Sequence, residues 1–359
     1  LIRWPENNSP YAIFVDKAHQ KVYIYRTDEL TRPVKTFKCS TGENAGPKTR
    51  QNDKKTPEGV YFFTDAYEER DLTPIYGPRA FPVDYPNPLD LEEGKDGYGI
   101  WFHWTNKPLK PNDTNGCIVL ENGNIGVLGE YITLHDTPTV ISSNLEMADP
   151  VELEKERVAL ELLIEGWRSA WEEKRIDEYL SFYGDAFFEG RADRRAWRDY
   201  KAGLAEKYDW IQVEIDNLRL VRHNGTVLAR FDQHYRSDAF DSRGEKRLYI
   251  RKNSSEWKIV GEYFSAEKER TRLARKPRPE PKPDPKARIR EFVARWERAW
   301  EGQDLRAYID CYDASFRSRD MDLAAWKRHR QKLNRKQDEV QVEIRDLEIQ
   351  VMDRARAKA

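Results

Sequence analysis

The 359-residue sequence predicts a multidomain chain, with a mainly-β module, an α+β domain, and a second, truncated copy of that α+β domain. Three observations support this prediction. Residues 11 to about 145 are short β-branched and aromatic runs separated by turn-forming loops. From Val151 onward, apolar residues recur at helical spacing. A set of aromatic residues then recurs after a constant shift, so that Trp167 is matched by Trp296, 129 residues later.

The N-terminal module is predicted to be a β-sandwich or a barrel-like structure. Residues 12–15 and 21–25 are β-branched and aromatic runs separated by a polar turn, which is typical of a hairpin. Residues 59–63, 99–103 and 131–134 continue the pattern between loops rich in Pro, Gly and Asn. Nothing in this part predicts a helix of three or more turns, so a mainly-β module is the economical interpretation.

An α+β domain follows Pro150. Apolar residues at helical spacing predict one helix over 151–173 and a second over 192–206. Strand patterns then return at 210–221, 226–236, 247–252 and 257–264. Helices followed by a run of strands are typical of the α+β class.

A third segment repeats the second. The shift of 129 residues relates Tyr179, Tyr183, Phe187, Trp197 and 212–215 to Tyr308, Tyr312, Phe316, Trp326 and 341–344. So many aromatic identities without a gap predict an internal duplication. The second copy ends before the counterparts of the last strands of the first copy. We therefore expect it to be partly ordered or completed by another chain, because a half-built sheet leaves an unpaired edge.

These patterns predict four segments, with bounds 1–148, 149–268, 269–286 and 287–359. In the third segment prolines alternate with charged residues, which favours a semi-rigid polyproline II spacer. Its excess of Lys and Arg is interpreted as the solvated surface of a linker. Binding to nucleic acid or to another anionic polymer is the alternative.

Composition excludes several classes of protein. The 62 Lys and Arg residues balance 63 Asp and Glu residues, and the net charge of -1 excludes a globally basic nucleic-acid-binding protein. The 11 Trp, 18 Tyr and 14 Phe indicate folded domains rather than a disordered chain. No apolar run approaches the roughly 18 residues that a membrane span needs. The N-terminus does not resemble a signal peptide, so we expect that any export signal has been removed.

The three cysteines are too few and too widely spaced for a disulfide framework or a zinc site. Cys39 lies in a strand-like run, and Cys311 lies in the aromatic pattern of the second copy. Both are typical of packing positions, since a free cysteine behaves as a small hydrophobic residue. Cys117 differs from them because it follows a glycine and a polar loop.

His103 and Cys117 are the strongest candidates for chemistry. A thiol becomes an effective nucleophile when a neighbouring base removes its proton, and histidine is the usual base. Gly116 leaves the backbone beside the thiol unshielded, so the N–H groups of Gly116 and Cys117 are candidate donors to an oxyanion. Spacing alone is a weak signal. The alternative is that Cys117 is a small buried hydrophobic residue and His103 a core histidine.

The sequence around these two residues resembles the L,D-transpeptidase catalytic domain of the YkuD family. The segments that carry the resemblance are 40–42, 55–61, 103–108, 114–120 and 137–141. They occur in the expected order and span about residues 11 to 141. The resemblance implies that Cys117 is the nucleophile and His103 its base, oriented by a backbone carbonyl. It also implies that no metal or organic cofactor takes part.

Three positions depart from the family pattern. Trp104 replaces the Gly that usually follows the catalytic His, Val119 replaces a common Arg, and Asn115 stands where many relatives carry His or Arg. These changes leave the nucleophile and the base intact but alter the expected contacts with substrate. The expected substrate-binding residues are Trp104, Thr105, Thr114, Asn115 and Tyr85.

The duplicated unit resembles an NTF2-like domain, which is a curved sheet lined by helices around a pocket. Most of its aromatic residues are expected to form the core. Asp232, His234 and Tyr235 lie on one predicted strand and are candidates for a cavity, without a catalytic role. The fold alone does not determine the function, because NTF2-like domains include both enzymes and binding modules.

Taken together, the resemblances imply a periplasmic or cell-envelope enzyme that acts on peptidoglycan stem peptides. A thioester on Cys117 would be transferred to an amine and give a 3–3 cross-link. Resolution by water would instead make an L,D-carboxypeptidase, and attachment or release of an envelope lipoprotein is a third outcome. A hypothesis from a different class is a wall-binding or assembly module, in which the NTF2-like copies bind an envelope protein or a second copy of the chain.

Overall fold

The chain divides into two compact units, Leu1–Arg278 and Pro279–Ala359. The computed structural model describes residues 1–68, 79–105, 107–121, 123–189, 193–253, 256–267, 285–318, 321–335, 340–342, 344, 347, 350–351 and 357–358. Most of the predicted linker, and Asn106 of the 103–108 motif, lie outside the described residues.

One continuous sheet dominates the N-terminal part of the chain. Its nine strands among the described residues are β1 (Tyr11–Asp16), β2 (Lys21–Arg26), β3 (Lys35–Ser40), β4 (Gly59–Phe62), β5 (Tyr67–Glu68), β6 (Arg79–Pro82), β7 (Trp101–Thr105), β8 (Ile118–Glu121) and β9 (Pro138–Ser142). They are arranged in the order β4-β9-β1-β2-β3-β8-β7-β6-β5. Two short helices, α1 (Pro88–Glu92) and α2 (Asn124–Gly129), lie in the connections. We call residues 11–142 the sheet domain.

The two halves of this sheet share one apolar core. Strand β3 joins them, because it pairs with β2 on one side and with β8 on the other. Ile13 and Ile24 from the first half lie in the same buried cluster as Phe102 and Leu120 from the second. This arrangement confirms the predicted mainly-β module, since strands from both halves of the sheet bury apolar side chains in one cluster.

The prediction of a strand over 131–134 is wrong. The backbone continues helix α2 as turns, and the N–H of Tyr131 and Ile132 donate to the carbonyls of Leu128 and Gly129. Both side chains pack against the core of the sheet domain, so their apolar character reflects burial rather than strand pairing.

The α+β part of the first unit has the predicted elements. Its helices are α3 (Pro150–Glu172), α4 (Ile176–Ser181) and α5 (Arg194–Lys207). Its strands are β10 (Tyr183–Phe188), β11 (Ile211–His223), β12 (Thr226–Ser237), β13 (Asp241–Asn253) and β14 (Glu256–Ala266), in the order β10-β14-β13-β12-β11. We call residues 150–266 the first copy.

Helix α3 begins where the sequence supplies a cap. Asp149 accepts a hydrogen bond from the N–H of Val151, and Pro150 occupies the first helical turn, where its missing N–H costs nothing. The helix buries Leu160, Ile164 and Trp167 against the concave side of the sheet. Their spacing of three and four residues places them on one face of the helix.

A buried polar cluster lies at the centre of this core. The indole Nε1 of Trp167 donates to the Tyr183 hydroxyl at 2.7 Å, and that hydroxyl donates to Glu262 at 2.6 Å. Lys246 completes the cluster with an ion pair of 2.5 Å to Glu262. The ammonium of Lys201 lies 4.2 Å from the centre of the Trp171 ring. The predicted aromatic core therefore also contains paired charges, which burial requires.

The second unit repeats the helical part of this arrangement. Its helices are α6 (Pro285–Glu301), α7 (Leu305–Ile309) and α8 (Leu323–Asn334). Trp296 Nε1 donates to the Tyr312 hydroxyl at 2.9 Å, as Trp167 does to Tyr183. The guanidinium of Arg330 lies 4.5 Å from the centre of the Trp300 ring, at the position that Lys201 occupies in the first copy. The same contacts at the same spacing confirm the duplication.

Strands are short in the described part of the second unit. They are β15 (Arg317–Ser318), β16 (Met321–Asp322), β17 (Gln350–Val351) and β18 (Ala357–Lys358). Of residues 341–344, the structure describes 341, 342 and 344, and none of these three lies in a strand, unlike their counterparts in β11. No longer strand of this unit lies beside them among the described residues, and a strand forms only with a paired neighbour.

Within the first unit, the sheet domain packs against the convex side of the first copy's sheet. Val60 and Val140 lie in one buried cluster with Leu228 and Tyr249. The Arg230 guanidinium lies 4.2 Å from the centre of the Phe62 ring. Asp84 adds an ion pair of 3.1 Å with Arg247.

Phe231 provides a test of this core. It is completely buried and its ring contacts Trp167 edge-on. We expect Phe231→Ala to lower the free energy of unfolding by about 3–5 kcal/mol, because it leaves a cavity between helix and sheet. Urea denaturation followed by circular dichroism measures this. Tyr263→Ala is the matched control, since Tyr263 is 44% exposed and its loss should cost less than about 0.5 kcal/mol.

Candidate active site

The sheet places His103 on β7 and Cys117 immediately before the neighbouring strand β8. Strands β7 and β8 are parallel, and His103 is in register with Val119. Cys117 lies two residues before Val119, at the end of the turn that leads into β8. The strand spacing and rise put the two Cα atoms on a diagonal of roughly 8 Å, which an imidazole and a thiol can bridge.

Cys117 is half-buried just before β8. Its thiol donates a hydrogen bond of 3.5 Å to the carbonyl oxygen of Gly99. Burial raises the pKa of Cys117 above its usual value of 9.0, and a backbone N–H of Trp101 and the charge of Lys48 only partly oppose this. At neutral pH the sulfur is therefore a thiol and not a preformed thiolate.

His103 is buried and held in one tautomer. Its Nδ1 lies 2.8 Å from the carbonyl oxygen of Trp104. A carbonyl can only accept, so Nδ1 carries the proton and Nε2 is the basic nitrogen. Burial lowers the pKa of His103 below its usual 6.5, although the bond to Trp104 opposes this. The imidazole is therefore neutral at pH 7 and able to accept a proton from a thiol.

The turn before Cys117 is closed by a side chain. Thr114 Oγ1 accepts from the N–H of Gly116 at 3.0 Å and donates to the carbonyl of Cys117 at 2.8 Å. The expectation that the Gly116 N–H points at an oxyanion therefore differs from the structure, because a local hydroxyl binds that donor. Gly116 is required for another reason. Its φ is +126°, and a Cβ there would lie 2.7 Å from the Lys55 carbonyl oxygen.

Thr56 fixes this turn to two other parts of the sheet domain. Its buried hydroxyl accepts from the N–H of Gly42 at 2.9 Å and donates to the carbonyl of Gly116 at 2.9 Å. A Cβ on Gly42 would overlap the carbonyl oxygen of Lys54, so only glycine fits there. Segments 40–42, 55–61 and 114–120 of the sequence therefore meet at a single hydroxyl.

The structure separates the residues predicted to bind substrate. Thr105 has the same orientation in β7 as His103, and Asn115 is exposed in the turn before Cys117. Thr114 closes that turn. Trp104 alternates to the opposite face and packs against the core, so it does not line the candidate site.

Tyr85 also does not lie where the prediction placed it, among the residues that bind substrate. It is 5% exposed, packs edge-on against Tyr61 and donates a hydrogen bond of 3.0 Å to the Asp96 carbonyl. The core covers nearly all of the Tyr85 side chain, so too little of it is exposed to bind substrate.

A cleft of about 630 Å³ lies elsewhere, between the sheet domain and the first copy. Its lining includes Asp84, Asn87, His135, Asp232, His234 and Arg247. The prediction that Asp232 and His234 face a cavity is confirmed, whereas Tyr235 alternates to the other side of β12 and packs on the core. Cys117 and His103 do not line this cleft.

The described residues contain neither a metal-binding cluster nor a membrane-spanning helix. Within the ranges that the structure describes, no group of three or more His, Cys, Asp and Glu side chains is arranged to hold a metal ion. No helix in those ranges is both long enough and apolar enough to cross a membrane.

Comparison with known proteins identifies the family. The model of the YkuD L,D-transpeptidase catalytic domain matches residues 10–143. The structure of Bd1075 from Bdellovibrio bacteriovorus is 31% identical in sequence, with a TM-score of 0.63, over 74% of this chain and 96% of Bd1075. The chain belongs to the YkuD family.

The part of this YkuD-family chain that follows the catalytic domain also has a known counterpart. The model of the Cds6 C-terminal NTF2-like domain matches residues 159–263 and 288–358, which cover both copies. The helical cell shape determining protein Pgp2 from Campylobacter jejuni is 24% identical, with a TM-score of 0.62, over 72% of this chain and 92% of Pgp2. It shares the fold. No curated protein matches this sequence significantly.

Thr56 tests how the turn is held. In Thr56→Val, the Gly42 N–H and the Gly116 carbonyl lose their buried hydrogen-bond partner. Each loss should lower the free energy of unfolding by roughly 1–3 kcal/mol. We expect lower stability in urea denaturation and slower alkylation of Cys117, because the turn is no longer fixed. Thr56→Ser keeps the hydroxyl and should resemble the parent protein. Equal loss in both variants would mean that the methyl group matters and not the hydrogen bonds.

The protonation state of Cys117 is also testable. Iodoacetamide reacts with thiolate, so its rate should rise about tenfold per pH unit between pH 7 and 9 without reaching a plateau. This follows because burial raises the pKa of Cys117 above 9.0. Mass analysis of the Cys117 peptide measures the rate. A plateau already reached at pH 7 would show a preformed thiolate instead.

Proposed function

We propose that this chain is an L,D-transpeptidase that forms a thioester between Cys117 and a peptidoglycan stem tetrapeptide. The observation that carries the proposal is the hydrogen bond from His103 Nδ1 to the Trp104 carbonyl, which leaves Nε2 as the basic nitrogen on the strand beside Cys117. A base on a rigid strand next to the nucleophile is what acyl transfer through a thiol requires.

The first step follows from the two protonation states. Nε2 of His103 removes the thiol proton as the sulfur attacks the carbonyl before the terminal D-Ala, so that charge develops only during the reaction. The N–H of Cys117 is the proposed donor to the oxyanion, since Thr114 binds that of Gly116. The imidazolium then gives its proton to the leaving D-Ala amine, and a thioester remains on Cys117.

The second step decides the product. Attack by an amine of a neighbouring stem gives a 3–3 cross-link and restores the thiol. Attack by water releases a tripeptide, which makes the enzyme an L,D-carboxypeptidase. The NTF2-like copies favour this second candidate, since the family resemblance links such domains with enzymes that trim the stem peptide.

The substrate class places the enzyme in the periplasm or elsewhere in the cell envelope. Peptidoglycan stem peptides are the proposed partner. The cell-shape function in the name of Pgp2, which shares the fold, is compatible with an enzyme that modifies the wall. A wall-binding or assembly module, through an envelope protein or a second copy of the chain, is the alternative if the thiol proves inert.

Purified muropeptides test the proposal directly. Incubation of the full chain with tetrapeptide muropeptides should yield dimers if an amine resolves the thioester, or tripeptides if water does, both detectable by mass analysis. Cys117→Ala should abolish either product, because the nucleophile is gone. Cys311→Ser is the matched control and should retain activity. Unchanged substrate with reduced, folded parent protein would contradict the proposal.

The base is tested separately with a carbapenem, which acylates active-site thiols without an acceptor. His103→Gln should slow adduct formation at pH 7 by about 10²- to 10⁴-fold, the usual contribution of a general base. An adduct that forms equally fast in this variant would remove His103 from the mechanism.

A further inference from the structure

A buried cation lies in the loop between β3 and β4. The side chain of Lys48 is only 3% exposed, and its ammonium donates to the Arg50 carbonyl at 2.7 Å and to Asp53 Oδ1 at 2.8 Å. Burying an ammonium is costly unless it is paired, and a surface lysine would hold such a loop at lower cost. The position of the charge therefore calls for an explanation.

The chain segment that contacts Lys48 also contacts the nucleophile. The Cε of Lys48 lies 3.0 Å from the point where a Cβ on Gly97 would be, so it packs directly on that backbone. Two residues later, the carbonyl oxygen of Gly99 accepts a hydrogen bond of 3.5 Å from the Cys117 thiol. Tyr85 holds the same segment by donating to the Asp96 carbonyl. Residues 96–99 thus contact both the side chain of Lys48 and the thiol of Cys117.

Asp53 does not cancel this charge. Its carboxylate accepts from the N–H groups of Thr49, Arg50 and Lys55 as well as from Lys48. Burial works to raise the pKa of Asp53, but these bonds hold it far below its usual range. Part of the negative charge is therefore balanced by backbone dipoles, and the charge of Lys48 still acts to lower the pKa of Cys117 against the effect of burial.

We infer that Lys48 is a positioning residue that stabilises the sulfur anion of Cys117 through the backbone of residues 96–99. The inference rests on the proposed function, because the anion matters only if Cys117 is the nucleophile. It also bears on Val119, which stands where the family pattern has an arginine. In this chain the inferred cation of the site is Lys48, on the loop after β3.

Other charged residues lie on the segments that flank Cys117, and the experiment changes only Lys48 and Asp53 among them. Those on the segments packed around Cys117 are His103 on β7, Lys48, Asp53 and Lys55 on the loop after β3, Asp96 on the loop before β7, and Asp113 on the loop before β8. Two variants of the Lys48–Asp53 pair separate the electrostatic role from a structural one. Both break the same ion pair, but they change the charge near the sulfur in opposite directions.

The test is the rate of iodoacetamide alkylation of Cys117 in the full chain at pH 8, read by mass analysis of its peptide. The reagent is neutral, so the rate reports the fraction of thiolate. We expect Lys48→Met to be slower by about 3- to 10-fold and Asp53→Asn to be as fast as the parent or faster. Lys48→Arg keeps the charge and should restore most of the rate.

The outcomes distinguish the inference from the proposed function. If Lys48→Met and Asp53→Asn slow alkylation alike, the pair only holds the loop and the inference is overturned. An unchanged rate in Lys48→Met overturns it as well. If circular dichroism shows that Lys48→Met does not fold, the Asp53→Asn variant decides alone. Slower alkylation of Cys117 in Asp53→Asn than in the parent protein then contradicts the electrostatic role. Normal alkylation without any product from muropeptides would instead remove the proposed function.

Discussion

The hydrogen bond between His103 Nδ1 and the Trp104 carbonyl determines what the candidate site can do. It fixes the proton on one nitrogen and leaves the other as the base, without a third acidic side chain. An acidic partner would stabilise the imidazolium and raise the pKa of His103, whereas a carbonyl leaves the ring neutral in its buried position. The proposed mechanism therefore starts from an uncharged pair and separates charge only when substrate is attacked.

Rigidity on the Cys117 side comes from hydroxyl groups. Thr114 closes the turn and Thr56 fixes it to Gly42, so the position of Cys117 depends on backbone groups far apart in sequence. Lys17 extends this support, because its buried ammonium donates to the carbonyls of Gly46 and Thr56. A thiol held this way cannot adjust much to substrate, and orientation is therefore built in before binding.

The sequence was sufficient for most of the architecture, since strands, helices and the duplication depend on periodicity and on spaced aromatic residues. The prediction of a strand over 131–134 was wrong because a partly buried turn and a paired strand can have the same pattern of apolar residues. The predicted orientation of the Gly116 N–H differs from the structure because the Thr114 hydroxyl, two residues earlier, accepts that hydrogen bond.

Other features of the site depend on contacts between distant segments. Tyr85 and Trp104 were predicted to bind substrate, but both pack in the core. Strand alternation directs Trp104 into it, and Tyr85 packs there against Tyr61. Lys48 lies outside the segments that carry the family resemblance, and only folding packs it against Gly97. Thr56 lay within a recognisable segment, yet its role could not be read without the structure.

The two NTF2-like copies have different cations at the same place among their aromatic rings. Burial lowers the pKa of Lys201 to about 8 from 10.5, so between these values the unfolded chain binds more protons than the folded one. The first copy should therefore gain stability as the medium becomes alkaline, because the core no longer encloses a charge. In the second copy, Arg330 stands at the position of Lys201. Duplication has thus kept a cation among the aromatic rings but changed the residue that carries it.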